Sequence, residues 1–451
     1  MEREHFGSRF AVIMAFAGSA IGLGNIWRFP YMAGEYGGAA FILIYVAASL
    51  FLSLPIFFAE LVIGRRSRAN CFGAMKNLAP GSHWNGLGLL CVVTPMIIVS
   101  YYSVVGGWSL DYLVRSCTFE FMRTPTDEVS GIFDSFITSS WSPLLFFGVY
   151  IALTCGIVAF GVKKGIEKFS KYSIPVLFVL IIVIAIYSVT LDGAAAGVSY
   201  LVKPDPAKIT PATCVNALGQ SFYSLSLGMG IVITYSSYVS KQENLLVSGL
   251  GTAVSDLIFA VLAGFAIMPA VFAAGIEPGS GPGLIFKTLP YIFSAMGESM
   301  PVVGAAVSIL FFLAIFISAL SSSIALVEVG VAYLIEEKGF RRKNACIAVF
   351  CFSFVLGALC SLSFGPLSGL TITGEPLFDF LDKFSSNILL TAGGFFCVTF
   401  VGWKMSRDDV RDEFTNGGSL RLNDRLFGVI YFLIKYVAPI AVAVIFISNF
   451  I

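Results

Sequence analysis

Apolar stretches long enough to cross a bilayer recur along the whole chain. No charged side chain lies between Ala39 and Ala59, nor between Val302 and Val327. A helix needs about 20 such residues to traverse the hydrocarbon core. The runs are continuous rather than alternating, which selects helices over a membrane barrel, whose strands alternate apolar and polar residues. Composition agrees: 57% of residues are apolar and 12% charged, against about 25% charged in ordinary soluble domains. Mean hydropathy is +0.87. The expectation is an all-α polytopic membrane protein.

Eleven spans are predicted, at about 10–32, 38–63, 87–114, 142–161, 169–188, 214–238, 246–273, 302–334, 344–362, 376–402 and 427–449. They fill residues 1–451 as a single transmembrane domain. With the N-terminus inside, twenty Lys and Arg fall in inner segments and five in outer ones. The positive-inside rule then places the N-terminus in the cytoplasm and the C-terminus outside. No cleavable leader is expected, because the first run continues from Phe10 past Tyr31 and lacks an A-x-A site.

Several function classes are excluded. Net charge is +1 without a basic patch, which speaks against nucleic acid. The two histidines, His5 and His83, lie outside the spans, so histidine metal sites, haem ligation and His-based catalysis are not expected. Most of the nine cysteines sit in apolar runs, among them Cys91, Cys155, Cys351 and Cys397, where thiols act as small hydrophobes. Cys117 and Cys214 fall near outer segments, and a bridge between them has no further support in the sequence.

Spans one and six share an interruption. The first reads Gly18-Ser-Ala-Ile-Gly22-Leu-Gly24-Asn25, the sixth Ser224-Leu-Ser-Leu-Gly228-Met-Gly230. Each glycine costs about 1 kcal/mol relative to alanine inside a helix, so paired glycines in mid-span favour local unwinding. Small residues also serve close helix packing, but both segments carry polar neighbours. They open two groups of five spans, and an odd group size makes the second run opposite to the first. That is the pattern of an inverted repeat with a central site, here about 10–188 and 214–402, with an extra span at about 427–449.

Unsatisfied backbone groups in hydrocarbon cost several kcal/mol each. Unwound segments therefore persist where something replaces their hydrogen bonds: free N–H groups suit a carboxylate, free C=O groups a cation. Around the two breaks cluster Asn25, Ser224, Ser226, Asp256, Ser318, Ser321, Ser322 and Ser323. These hard oxygen donors suit Na⁺ rather than a soft transition metal. Asp256 reads as a functional carboxylate, the alternative being a water-filled margin, and each serine of span eight has the alternative of bonding its own helix. Glu60 and Glu328 are either functional or satisfied by buried backbone. Arg28 and Asp382 can pair on the outer side, and Lys435 reads as a snorkelling side chain rather than a pathway residue.

The stretch Gly18-Ser-Ala-Ile-Gly-Leu-Gly-Asn-Ile-Trp-Arg-Phe-Pro-Tyr31 resembles the first-span signature of the neurotransmitter:sodium symporter family, in particular its bacterial amino-acid transporters of the leucine-transporter type. The resemblance continues through Gly37-Gly38-Ala-Ala-Phe41, Pro55, Glu60, Gly64-Arg65, Tyr101-Tyr102, Gln220 to Gly230 and Leu320-Ser-Ser-Ser-Ile-Ala325, over nearly the whole chain. It implies two sodium sites. The first takes Ala20, Asn25, Ser224 and Asp256 with the substrate carboxylate; the second takes Gly18, Ile21, Ser318, Ser321 and Ser322. It implies substrate contacts at Ala20, Gly22, Leu23, Gly24, Ile98, Tyr102, Tyr223, Ser224, Ser226, Met229, Ser322 and Leu326. It further implies an outer gate of Arg28 and Asp382 under Tyr223, an inner gate of Arg3 and Glu336, and a span-five motif, Gly165 to Pro175, whose unwinding wets the second sodium site.

Amine transporters of the family carry aspartate at the position of Gly22, so glycine here implies a substrate bringing its own carboxylate. The apolar side-chain subsite of Ile98, Tyr223, Met229 and Leu326 favours a hydrophobic or aromatic amino acid. Some positions depart from the family pattern. Asp256 replaces an asparagine and Ala260 replaces the serine or glutamate one turn on, which implies that Asp256 supplies the charge and transport is chloride-independent. Phe6 replaces a tryptophan and Tyr36 an asparagine, and a twelfth span is lacking. The expectation is a sodium-coupled amino-acid symporter of the plasma (inner) membrane working by alternating access, as a monomer or homodimer, with no nucleic acid and no enzymatic activity. The alternative is a sodium-dependent sensor or channel-like protein without coupled turnover.

Overall fold

The computed structural model describes residues 4–276 and 284–449. Among these, nine continuous helices are long and apolar enough to cross a membrane: Ala39–Ser67, Asn85–Cys117, Ser142–Ala159, Val162–Val189, Leu245–Ala273, Pro301–Lys338, Arg342–Leu362, Leu377–Lys404 and Arg421–Ser448. A tenth segment, Arg9–Ala20 followed by Gly24–Glu35, is bent by 56° at its break. The sixth predicted span divides into Pro211–Ser224 and Ile231–Ser236. In order, these helices occupy the eleven predicted segments, named below as spans one to eleven, with inner and outer ends named from the Lys/Arg bias.

Span eight lies along span three, and span four packs against both. Gly106 and Gly107 permit that approach: a Cβ on Gly106 would lie 2.2 Å from the Tyr150 ring, and one on Gly107 2.6 Å from the Phe147 nitrogen. Small residues at helix contacts let backbones meet where water supplies no driving force. Among the nine continuous spans, span three is the most enclosed and span eleven the least. Exposed side chains such as Phe51, Val179, Val355 and Ile440 form the apolar perimeter that a bilayer would cover.

Basic residues at the inner ends fasten the bundle. Arg65, 1% exposed, closes span two and donates to Glu413 at 2.5 Å and to the Glu243 carbonyl at 2.5 Å. Lys241 reaches the same carboxylate at 2.5 Å. These contacts hold the short helix Arg407–Thr415 against span two and the loop that follows span six. The Lys435 ammonium lies 4.8 Å from the Trp403 ring centre. All nine cysteines are free, so Cys117 and Cys214 form no bridge. Their helices pack on different partners, span three on span eight and the outer half of span six on span two.

Candidate functional site

Span one stops because Ile21 turns extended, with φ −74° and ψ 94°. The N–H groups that would continue the helix are then taken elsewhere. Gly22 donates to Asn25 Oδ1 at 3.3 Å, Leu23 to the Tyr102 hydroxyl at 3.0 Å, and Asn25 to the Gly22 carbonyl at 3.1 Å. The carbonyls of Gly18, Ser19 and Ile21 thereby lose the donors of a continuous helix. Hydroxyls meet two of them: Ser226 and Ser322 donate to Ser19 at 2.9 and 3.3 Å. Ser318 and Ser321 donate to Ile21 at 3.3 and 3.4 Å.

Span six comes apart through positive φ angles at Ser226 (55°), Gly228 (77°) and Gly230 (74°). Gly228 is held from two sides. Its N–H donates to Glu60 Oε1 at 2.7 Å, and a Cβ there would meet the Leu390 carbonyl at 2.1 Å. Glu60 thus caps the break with one oxygen, while its buried Oε2 has no partner among the described residues. Glu328 is satisfied differently, by Arg342 at 2.5 Å and the Tyr238 hydroxyl at 2.7 Å.

Two oxygen-rich clusters flank the paired breaks. In one, Asn25 Nδ2 donates to Asp256 Oδ1 at 2.7 Å and to Ser224 Oγ at 3.2 Å, while Ser224 reaches both carboxylate oxygens at 2.9 and 2.8 Å. Asn25 and Asp256 are both fully buried. Tyr45 adds its hydroxyl, 3.1 Å from Ser224 and 3.3 Å from Asp256. The other cluster is the Ile21 carbonyl with Ser318, Ser321 and Ser322. Gly18 faces Ser170 and Ile174 of span five, whose atoms would lie 3.3 and 3.4 Å from a Cβ there.

Between the clusters is a cavity of about 30 Å³, room for about two waters. Eleven of the twelve expected contact residues line it: Ala20, Gly22, Gly24, Ile98, Tyr102, Tyr223, Ser224, Ser226, Met229, Ser322 and Leu326. Leu23 faces instead a larger cavity of about 380 Å³ on the outer side. Arg28 and Asp382 both line this outer cavity, yet no ion pair joins them. The Arg28 guanidinium lies over the Tyr223 ring at 4.8 Å, at the boundary between the two cavities.

The inner end is closed. Phe6 N–H donates to the Tyr238 carbonyl at 3.1 Å, and its ring stands edge-on to Tyr235 and Tyr238 at 5.9 and 6.1 Å. Glu4 accepts from Val162 N–H at 2.6 Å. Arg3 lies outside the described residues, while Glu336 accepts from the Asn70 backbone and side chain at 2.8 and 3.1 Å. Sequence reasoning missed Tyr45, which reads as one more aromatic in an apolar run. It also assigned no role to Gln220, whose Nε2 donates to the Gly24 carbonyl at 2.9 Å. An amide within an apolar helix was the available signal.

The family model described as the Sodium:neurotransmitter symporter family matches residues 3–130 and 137–451. The chain belongs to that family. It is similar to the sodium-dependent transporter YhdH of Bacillus subtilis, with 36% identity covering 98% of this chain and 97% of the relative. A sodium-dependent transporter of Haemophilus influenzae is also 36% identical, over 99% and 98% of the two chains. Among solved structures, MhsT in complex with L-phenylalanine aligns with a TM-score of 0.90 and 41% identity, covering 99% of this chain and all of that one. The protein is accordingly a sodium-dependent transporter and not an enzyme, and the two broken helices belong to a symporter.

Proposed function

We propose that this symporter couples Na⁺ movement to uptake of α-amino acids with apolar or aromatic side chains, by alternating access and without chloride. The observation that carries the reading is the facing pair of helix breaks, which concentrates freed carbonyls, hydroxyls and one carboxylate around a shared cavity. The substrate carboxylate would meet the Tyr102 hydroxyl and a sodium ion held by the Ala20 carbonyl, Asn25, Ser224 and Asp256. A second sodium ion would take the Gly18, Ile21 and Ser318 carbonyls with Ser321 and Ser322. Attraction between Na⁺ and the substrate anion in a low-dielectric cavity makes each bind better with the other, which is the sign coupling requires.

Three further observations support the substrate class. Gly22 brings no carboxylate, and a Cβ there would lie 2.5 Å from Ser322 Oγ, so a larger residue would have to displace that hydroxyl. The side-chain end is walled by Ile98, Met229 and Leu326, without fixed charge. MhsT, 41% identical, is described with L-phenylalanine bound. The cavity must widen to admit such a substrate, and Met229, with its flexible thioether, is suited to give way.

Asp256 stands in direct contact with the proposed first sodium ligands, so its charge takes the part that an anion would otherwise play. The N-terminus is assigned to the cytoplasmic side of the plasma membrane from the Lys/Arg bias. The test is uptake of radiolabelled phenylalanine and leucine into proteoliposomes under an inward Na⁺ gradient. Accumulation above the external concentration that survives replacement of chloride by gluconate is expected. Binding without accumulation would favour a sensor or channel-like protein, and a steep loss in gluconate would overturn chloride independence.

A further inference from the structure

On the side of span five facing away from the paired breaks, a groove of about 470 Å³ opens to the perimeter of the bundle. It begins at the inner end of Val162–Val189, where Lys164 and Lys168, one helical turn apart, line its mouth. Among the described residues neither lysine has a carboxylate within ion-pair distance, unlike Arg65, Arg66 and Arg342, which are held by Glu413, Asp412 and Glu328. The walls are apolar and outward-facing: Phe160 is 72% exposed and Tyr172 63%. Deeper in lies Ser173. It is 9% exposed, and its hydroxyl has no hydrogen-bond partner among the described residues.

These features call for one occupant with an anionic, hydrogen-bond-accepting head and an apolar tail. We propose that the groove is a binding site for an anionic phospholipid of the inner leaflet. Its phosphate sits between Lys164 and Lys168, and an acyl chain runs over Tyr172 and Val176. A soluble anion would satisfy the lysines but leave the apolar walls uncovered. A zwitterionic lipid would cover the walls but bring a cationic group against two ammonium groups.

Placement gives the site a consequence. Lys164 lies within the irregular turn Val162–Glu167, which contains Gly165, and Lys168 directly follows it; the groove's floor includes Ile317, the neighbour of Ser318. A phosphate bridging both lysines ties the middle of that turn to the first residue of the helix that follows it. Lipid occupancy therefore holds this part of span five as it stands, and lipid departure frees it.

The test uses the full-length transporter in nanodiscs of phosphatidylcholine alone or with phosphatidylglycerol, followed by native mass spectrometry after detergent release. Two surface lysines favour an anionic lipid by about 30-fold. Retained phosphatidylglycerol should therefore exceed phosphatidylcholine by about that factor in the wild type, and Lys164→Gln with Lys168→Gln should bring the ratio near parity. Hydrogen exchange at residues 162–168 should slow in phosphatidylglycerol nanodiscs and not change with added inorganic phosphate. Equal retention of the two lipids by the wild type would overturn the site without recourse to any variant. So would protection by phosphate alone, or an undiminished ratio in the double variant.

Discussion

Asp256 and Gly228 show how single residues decide what this site can be. The Asp256 carboxylate accepts from Asn25, Ser224 and Tyr45, so its removal costs charge while leaving the hydrogen-bonding framework. Asp256→Asn is expected to raise the Na⁺ concentration for half-maximal uptake by about tenfold or more, the worth of one charge-assisted contact; an unaltered Na⁺ curve would remove it from the sodium site. Gly228 answers to backbone geometry. A non-glycine residue in the left-handed region costs about 1–2 kcal/mol, and a Cβ 2.1 Å from the Leu390 carbonyl forces further movement. Gly228→Ala should lower the thermal midpoint in detergent. Gly219→Ala, whose Cβ would meet nothing within 4 Å, should leave it unchanged or raise it. Polar residues stranded in apolar runs made most of the site legible from sequence. Tyr45 was not, because a phenol declares its polar end only when a partner such as Asp256 is placed beside it.

At the scale of the element, each break persists because a second helix supplies what the first has lost. Glu60 of span two holds the Gly228 N–H, and span eight hydroxyls hold the Ile21 carbonyl. Removing the Glu60 acceptor leaves a buried N–H unsatisfied, which costs about 1–3 kcal/mol. Glu60→Ala should therefore reduce thermal stability and substrate binding together, whereas Glu60→Gln, which keeps an oxygen in place, should recover most of the stability. Equal loss in both variants would mean that the carboxylate charge matters more than the capping bond. Helix positions were legible wherever hydropathy dominates, and boundaries failed where it does not. Span eleven begins at Arg421 rather than near 427 because its first turn is polar and ties down to the inner loop, Arg411 meeting Asp424 at 2.8 Å. Span five begins at Val162 rather than 169 because three lysines at 163, 164 and 168 precede its apolar run without ending the helix.

Taken as a whole, the molecule is closed at its inner end and hollow at its outer one. The outer cavity of about 380 Å³ reaches down to Tyr223, while Phe6 is packed among Tyr235 and Tyr238 at the other end. Sequence could name residues for both gates but not which of them is shut, since that depends on the balance between two packings of the same side chains. Under the proposed alternating access, opening of the inner end would break the Phe6 contacts, so weakening them should shift the population towards inward opening. Truncating a buried phenylalanine to alanine costs about 3–5 kcal/mol in a rigid core. Even half of that is more than a tenfold change in the ratio of the two states. Phe6→Ala should accordingly lower the rate at which an impermeant maleimide labels a cysteine placed in the outer cavity by Ser386→Cys, in a background lacking the exposed Cys117 and Cys351. Phe6→Trp, which retains a ring for Tyr235 and Tyr238, should restore outer labelling. Labelling that is the same in all three proteins would show that the N-terminal segment seals the inner end without setting the equilibrium between the two faces.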